Sequence, residues 1–172
     1  NVGIIGCGRI FKKHYSAIEK NKKLKLIAVC DVNKSALRKI DYANVRKYSS
    51  VKKMILNEKL DLISILTPSG IHYKNFIDIY KSVNNILIEK PMTTNISDAE
   101  KIFKLSKKFR KKVFIVMQNR FNKSIIKLKE MINENRLGKI FLTSVRVRWS
   151  RDEKYYNLAK WRGTKKLDGG TL

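Results

Sequence analysis

The sequence lacks the features that mark several classes of protein. No apolar run is long enough to cross a bilayer, and no charged segment followed by an apolar block indicates a secretory signal. Only two cysteines are present, Cys7 and Cys30, both in apolar surroundings, so we expect reduced thiols in a cytoplasmic protein and no disulfide framework. The chain has only two histidines, and no ligand spacing predicts a metal site.

Acidic residues are scarce as well. Aspartate and glutamate together number 14 against 39 lysines and arginines, which gives a formal net charge of +25. An excess of this size is found in proteins that bind nucleic acid or anionic surfaces. Because the lysines are scattered over every predicted helix, we favour a solvated basic surface and expect neither a nucleic-acid nor a membrane partner. The charge would still attract a small anionic ligand.

What the sequence does contain is a regular alternation of short apolar segments with amphipathic ones. Each apolar segment is typical of a buried parallel strand, and the intervening segments have helical spacing. This alternation predicts an α/β fold, a doubly wound Rossmann sheet with strand order 3-2-1-4-5-6. The predicted strands cover residues 1–5, 24–30, 45–48, 62–66, 86–88 and 113–117, and the main predicted helices cover 9–20, 35–40, 71–82 and 97–109, the last behind a capping box at Ser97.

The character of the chain changes after Met117. A helix is predicted over residues 121–133, and the segment Lys139–Trp149 alternates apolar residues with arginines, which predicts an antiparallel strand with one solvent-exposed face. We therefore expect a dinucleotide-binding domain over residues 1–117. Residues 118–172 would begin an α+β domain with an open, mainly antiparallel sheet that this sequence does not complete.

The first predicted strand ends in a glycine turn, Gly6-Cys7-Gly8, which suits the pyrophosphate of a dinucleotide held at a helix N-terminus. Phe11 occupies the position at which the usual fingerprint has a third glycine. Asp31 ends the second strand at about the 20-residue distance expected for the carboxylate on the adenosine ribose, and it favours NAD over NADP. The alternative is a βαβ unit that binds nothing, with Asp31 as a helix cap.

Two further motifs follow in order, Thr67-Pro68-Ser69-Gly70-Ile71-His72 after the fourth strand and Glu89-Lys90-Pro91 after the fifth. With the glycine turn they resemble the glucose-fructose oxidoreductase / inositol dehydrogenase (Gfo/Idh/MocA) family over essentially the whole chain. The resemblance implies an NAD-dependent dehydrogenase. It assigns to the cofactor the residues Gly6, Gly8, Arg9, Ile10, Asp31, Thr67, Pro68, Ser69, His72, Glu89, Lys90 and Gln118.

Lys90 is the residue that the resemblance assigns to catalysis. It would lie at a strand end beside the nicotinamide, where a lysine partly shielded from water can accept the hydroxyl proton as hydride leaves. The family often has a cis bond before Pro91. Two roles stay open: Glu89 orients Lys90 or forms a plain salt bridge, and His72 lies near the nicotinamide ribose or faces solvent. We expect His14 to pack on the first helix.

The later motifs are similar to those of one group within the family, the bacterial UDP-N-acetylglucosaminuronate dehydrogenases. These motifs are Gln118–Asn122, Arg148–Arg151, Trp161–Thr164 and Leu167–Gly170. They imply a homo-oligomer that oxidises the C3 hydroxyl of a UDP-linked N-acetylglucosaminuronic acid in surface polysaccharide (O-antigen) biosynthesis. The residues implied for this anionic nucleotide sugar are Lys90, Asn119, Arg120, Arg148, Arg151, Tyr155, Trp161 and Arg162.

Two alternative functions stay open. One is a dehydrogenase of a free sugar or inositol. The other is a catalytically silent NAD-binding module. Family members continue after the Asp-Gly-Gly segment into a helix whose histidine and aspartate complete the catalytic site, whereas this sequence ends at Leu172. We therefore expect an amino-terminal fragment.

Overall fold

The computed structural model of the chain describes residues 1–169. The chain folds into two compact units, the first formed by Asn1–Val116 with the segment that begins at Trp161, and the second by Met117–Lys160. The segment from Trp161 onward thus packs with the first unit, although it follows the second along the chain. Among the described residues, no helix is both long and apolar enough to cross a membrane.

The first unit is built around a parallel sheet of six strands in the order β3-β2-β1-β4-β5-β6. The predicted Rossmann fold and strand order are confirmed. All four residues of β1 are buried, as expected for a central strand covered on both faces. The strands are β1 (Val2–Ile5), β2 (Leu26–Cys30), β3 (Arg46–Tyr48), β4 (Leu62–Ile65), β5 (Asn85–Ile88) and β6 (Lys112–Ile115).

Successive side chains of a strand point to opposite faces of the sheet, so both faces of this buried sheet carry apolar side chains. Helices cover both faces. Ile4 of β1 belongs to one buried cluster, with Phe11 and Val29, whereas the neighbouring Ile5 belongs to the other, with Phe76. The helices of the first unit are α1 (Phe11–Glu19), α2 (Lys34–Arg38), α3 (Val51–Asn57), α4 (His72–Ile79) and α5 (Ile96–Lys108).

The second unit contains its predicted helix but lacks its predicted strand. Its described elements are a 3-10 turn over Gln118–Phe121 and the helices α6 (Lys123–Asn133) and α7 (Glu153–Asn157). The predicted strand Lys139–Trp149 is wrong for this structure: none of the described residues pairs with it. Its apolar side chains are 75–82% exposed at Val145, Val147 and Trp149. Alternating residues form a strand only when a neighbouring strand satisfies their backbone hydrogen bonds.

The start of α5 also differs from its prediction. The sequence places the capping box at Ser97, but the N-cap is Asn95, and Ser97 lies inside the helix. Asn95 Oδ1 accepts a hydrogen bond from the backbone N–H of Asp98 at 2.9 Å, and its Nδ2 donates to Asp98 Oδ2 at 2.8 Å. This reciprocal pair is an Asn/Asp version of a capping box, two residues earlier than expected.

A pair of alanine substitutions distinguishes the two caps. We expect Asn95→Ala to lower the free energy of unfolding by about 1 kcal/mol, because an N–H of the first turn loses its acceptor. Ser97→Ala should change it by less than about 0.5 kcal/mol, as for most surface positions. Urea unfolding of both variants measures the difference. A larger loss for Ser97→Ala than for Asn95→Ala would contradict the cap that the structure shows.

Candidate functional site

The glycine turn after β1 has two glycines with different structural constraints. Gly6 has a φ of +100°, and a Cβ on it would lie 2.8 Å from the backbone carbonyl of Leu66, so only glycine fits there. Gly8 is exposed, and a Cβ on it would meet nothing within 4 Å. The turn therefore packs tightly against the chain that leaves β4, while its other side is open to an approaching ligand.

The N-terminus of α1, the helix that follows the turn, is suited to binding an anion. Its N-cap is Ile10, which has no side-chain oxygen to accept from the first backbone N–H groups, and its first turn contains no acidic residue. Such an end carries partial positive charge. The N–H groups of Phe11 and Lys13 donate to the carbonyl oxygens of Gly8 and Ile10, at 3.1 and 3.0 Å. Arg9, beside it, is exposed, and Ile10 is half-buried. These features fit the pyrophosphate of a dinucleotide.

Phe11, at the position of the missing third glycine, is accommodated by a group of aromatic rings. Its side chain is 2% exposed, and its ring centroid lies 6.3 Å from that of Tyr15 and 6.2 Å from that of Tyr42. A glycine at this position normally permits close packing of helix and strand. Here the phenyl ring fills that space as part of the core, so the departure from the fingerprint leaves the turn intact.

Asp31 connects the turn to the end of β2. Its Oδ2 accepts from the backbone N–H of Cys7 at 2.7 Å, and its Oδ1 accepts from that of Asn33 at 2.8 Å. A carboxylate has about four lone-pair sites, so both oxygens can still accept a ribose hydroxyl. The assignment of Asp31 to the ribose stays a prediction. Its position at the strand end, beside the turn, suits that role.

The two cysteines are free thiols, and both are buried. Burial, followed by the negative charge of Asp31, raises the pKa of Cys7 to about 12 and that of Cys30 to about 11. A thiol with a raised pKa is a poor nucleophile and a poor metal ligand. Among the described residues, no group of three or more histidines, cysteines and carboxylates lies close enough together to bind a metal ion.

The loop after β4 holds His72 in a buried position, which contradicts one of its two predicted environments. The imidazole is 1% exposed, with Nε2 2.7 Å from the carbonyl oxygen of Thr67 and Nδ1 2.8 Å from that of Pro91. The ring therefore does not face solvent, and its place near the nicotinamide ribose stays a prediction. Of the other predicted residues of this loop, Thr67 and Pro68 are half-buried and Ser69 is buried.

Glu89 forms a salt bridge and does not contact the side chain of Lys90. Its Oε1 lies 2.8 Å from Nε2 of His14, on α1, and its Oε2 accepts from the backbone N–H of Lys90 at 3.1 Å. The Lys90–Pro91 bond is cis. The Lys90 side chain is exposed, so the described residues do not provide the shielding from water that the sequence predicted.

The electrostatics of Glu89 reflect this salt bridge. Burial alone would raise its pKa, but the hydrogen bond and charge of His14, together with Lys90, outweigh burial and hold the pKa below the usual 4.5. The carboxylate is therefore kept ionised beside Lys90. Sequence reasoning missed this contact, because it joins residues that are far apart in the chain.

The segment from Trp161 folds back on the loop after β4. The backbone N–H of Gly70 donates to the carbonyl oxygen of Leu167 at 2.9 Å, and a Cβ on Gly70 would overlap the carbonyl oxygen of Lys166. Asp168 stabilises the segment by accepting from the N–H of Gly163 at 2.7 Å. The predicted substrate residues Trp161 and Arg162 are half-buried here. Gly170, the last residue of its motif, lies outside the described residues.

In the second unit, the structure brings together two of the predicted substrate residues. The guanidinium of Arg151 lies 4.0 Å from the ring centroid of Trp149 and 4.5 Å from that of Tyr155, in an open groove that Lys154 also lines. Stacking on two rings holds the planar fork in place for an anion. The remaining predicted residues of this unit, Gln118, Asn119, Arg120 and Arg148, are exposed.

Substitution of the two glycines distinguishes an effect on protein stability from an effect on NAD binding. We expect Gly6→Ala to lower the free energy of unfolding by about 1–3 kcal/mol, because a Cβ is strained there and overlaps backbone. Gly8→Ala should leave stability within about 0.5 kcal/mol. It should weaken NAD binding by about tenfold or more, since the methyl group occupies the open side of the turn. Urea unfolding and titration of NAD followed by fluorescence measure both. Unaltered NAD affinity in Gly8→Ala would contradict this use of the turn.

The salt bridge of Glu89 predicts a pH dependence of stability. Because its pKa is lowered on folding, its contribution is present above the ordinary value of 4.5 and is lost as the pH falls below it. We expect Glu89→Gln to cost about 1–3 kcal/mol at neutral pH and progressively less in acid. The exposed Glu100→Gln is the matched control, with little effect at either pH. A Glu89→Gln deficit that persists undiminished in acid would show that the ionised pair is not its origin.

Comparison with known proteins agrees with this geometry. The family model of the Gfo/Idh/MocA oxidoreductases, described as an NAD-binding Rossmann fold, matches residues 1–117. Two solved structures of WlbA dehydrogenases in complex with NADH and UDP-GlcNAcA, from Chromobacterium violaceum and Bordetella pertussis, are each 34% identical to the chain, with TM-scores of 0.91 and 0.92. They cover 96% and 97% of this chain.

Relatives named for other substrates are also similar. The D-glucoside 3-dehydrogenase of Escherichia coli is 27% identical over 84% of this chain, and the myo-inositol 2-dehydrogenase of Thermotoga maritima is 26% identical over 80%. The chain spans 42% of both of these relatives and about half of the two WlbA structures. The match over residues 1–117, together with the sheet and its glycine turn, shows that the chain belongs to the Gfo/Idh/MocA family of NAD-binding oxidoreductases.

Proposed function

We propose that the protein is an NAD-dependent dehydrogenase that oxidises a hydroxyl group of a UDP-linked N-acetylglucosaminuronic acid, at C3 of the sugar. The observation that carries this proposal is the position of Lys90. The glycine turn, the Thr67 loop and Lys90 follow three adjacent strands, β1, β4 and β5, and so lie at one edge of the sheet. Ligands of open parallel sheets bind at this edge.

The residues of the chain fit the cofactor at this edge. The open side of Gly8 and the uncapped start of α1 would hold the pyrophosphate, and Asp31 would hold the ribose hydroxyls. NAD, when bound, supplies the acceptor for the hydride. Lys90 Nζ, in its neutral form, would take the hydroxyl proton as the C–H bond breaks, so that alcohol becomes ketone and lysine becomes ammonium.

The second unit supports a nucleotide sugar over a free sugar. The similarity to the two structures named with UDP-GlcNAcA runs through nearly the whole chain, and the second unit of this chain carries the stacked Arg151. A guanidinium stacked on aromatic rings binds a carboxylate or a pyrophosphate better than it binds an uncharged polyol. A role in surface polysaccharide biosynthesis, a homo-oligomeric state and a cytoplasmic location remain part of the proposal.

Turnover of candidate sugars tests the proposal. The natural full-length protein should reduce NAD with UDP-N-acetylglucosaminuronic acid, and much more slowly with glucose or myo-inositol, as followed by the absorbance of NADH. Lys90→Met should lower kcat by about 100-fold or more with little change in NAD affinity, because only the proton acceptor is lost. Lys74→Met, at an exposed position on α4, is the matched control.

Each alternative function has its own result in this assay. Equal turnover of free inositol or glucose would contradict the nucleotide-sugar proposal and favour the sugar or inositol dehydrogenase. Normal turnover by Lys90→Met would remove Lys90 from the mechanism. Binding of NAD without oxidation of any of the three compounds would favour the silent binding module.

A further inference from the structure

The two histidines of the chain contact the residues on either side of Lys90. His14 Nε2 lies 2.8 Å from Oε1 of Glu89, and His72 Nδ1 lies 2.8 Å from the carbonyl oxygen of Pro91. The proposed catalytic lysine is thus bracketed by two imidazoles. Neither of them is within the Glu-Lys-Pro motif, and neither is used in the proposed chemistry.

Each histidine also connects this turn to one of the predicted nucleotide-binding segments. His14 belongs to the first turn of α1, the helix whose N-terminus follows the glycine turn. The second ring nitrogen of His72, Nε2, lies 2.7 Å from the carbonyl oxygen of Thr67, in the loop after β4. The residues that flank Lys90 are therefore attached to both places where the dinucleotide is expected to bind.

These contacts are shielded from water, whereas Lys90 is not. The His14 and Glu89 side chains are 12% and 13% exposed, and His72 is 1% exposed. Among the described residues, no hydrogen bond or ion pair holds the Nζ of Lys90. The direction in which its side chain leaves the sheet is set by the backbone of residues 89–91. His72 contacts that backbone directly, at the carbonyl oxygen of Pro91. His14 reaches it through the Glu89 side chain, whose Oε2 accepts from the backbone N–H of Lys90 at 3.1 Å.

We propose that His14 and His72 are positioning residues that transmit cofactor binding to Lys90. Binding of NAD at the glycine turn and the Thr67 loop orders α1 and the loop, and the imidazoles then fix residues 89–91 and the lysine among them. The inference rests on the proposed function for its consequence in catalysis. The structural part of the inference is that NAD binding fixes the backbone of residues 89–91. This link can be measured without turnover.

Hydrogen exchange of the natural full-length protein, with and without NAD, tests this link. We expect NAD to slow exchange in peptides that contain residues 89–93 by about tenfold, because the turn opens less often. His14→Leu should lose most of this protection while its NAD dissociation constant stays within about threefold of wild type. His14→Gln, whose Nε2 can replace the imidazole Nε2 as donor to Glu89, should recover the protection.

His72 permits a second, finer comparison. His72→Asn places an amide N–H where Nδ1 is and keeps the contact with Pro91, whereas His72→Gln places it where Nε2 is and keeps the contact with Thr67. Each variant keeps one amide donor in the same buried place, and urea unfolding of both shows that the comparison is made on folded protein. We expect His72→Asn to retain the protection of residues 89–93 by NAD and His72→Gln to lose most of it.

Kinetics supplies the catalytic readout. In the sugar assay, His14→Leu and His72→Gln should lower kcat by about tenfold with KM for NAD changed less than about threefold, and His14→Gln should recover most of the loss. Undiminished protection and kcat in both impaired variants would overturn the inference. Equal impairment of the conservative and disruptive variants would overturn it as well, because it would indicate a merely structural effect.

The failure of the proposed function gives a different pattern. If none of the sugars is oxidised but NAD protects residues 89–93 through the histidines, the dehydrogenase proposal fails and the link stands. If turnover is normal and the variants behave as wild type, the link fails and the dehydrogenase stands. An absence of NAD binding would overturn both.

Discussion

The close approach of Gly6 to the backbone of Leu66 is the constraint on which the rest of the site depends. The carbonyl group of Leu66 lies 2.8 Å from where a Cβ would be, so the turn after β1 rests directly on the chain that leaves β4. This contact places the glycine turn beside the start of the Thr67 loop, since the same Cβ would lie 2.9 Å from the backbone nitrogen of Thr67. It leaves the opposite side of the turn, at Gly8, open. Tight packing on one side and space on the other are what a phosphate-binding turn needs.

At the carboxyl ends of the strands, polar contacts join the segments expected to bind the cofactor to the residues around Lys90. Asp31 fixes the turn to β2, and the two imidazoles connect α1 and the Thr67 loop to the residues around Lys90. Buried polar contacts of this kind are stabilising only when every donor and acceptor is matched. Among the described residues, no buried side-chain nitrogen or oxygen lacks a partner. The site therefore gathers several polar contacts at the carboxyl ends of the strands, next to the apolar core.

Local patterns in the sequence predicted the strands, the helices and the three motif-bearing turns, because each depends on residues close together in the chain. The strand order followed from the general topology of doubly wound folds. The salt bridge of His14 with Glu89 and the backbone contact of Gly70 were missed, since they join distant segments that no pattern relates. The Lys139–Trp149 strand failed for a similar reason. The alternation shows that this segment could form a strand. A strand also needs a second segment to pair with, and the alternation does not identify one.

The return of the Trp161 segment to Gly70 has a consequence for the order in which the chain matures during synthesis. A nascent chain that has reached Val116 contains all six strands and both core clusters, so the sheet can form at that stage. The backbone hydrogen bond from Gly70 to Leu167 must wait until the intervening segment has left the ribosome. The loop that carries Thr67 and His72 thus acquires its last contact well after its own strand, and the edge of the sheet is completed by the latest-made part of the unit.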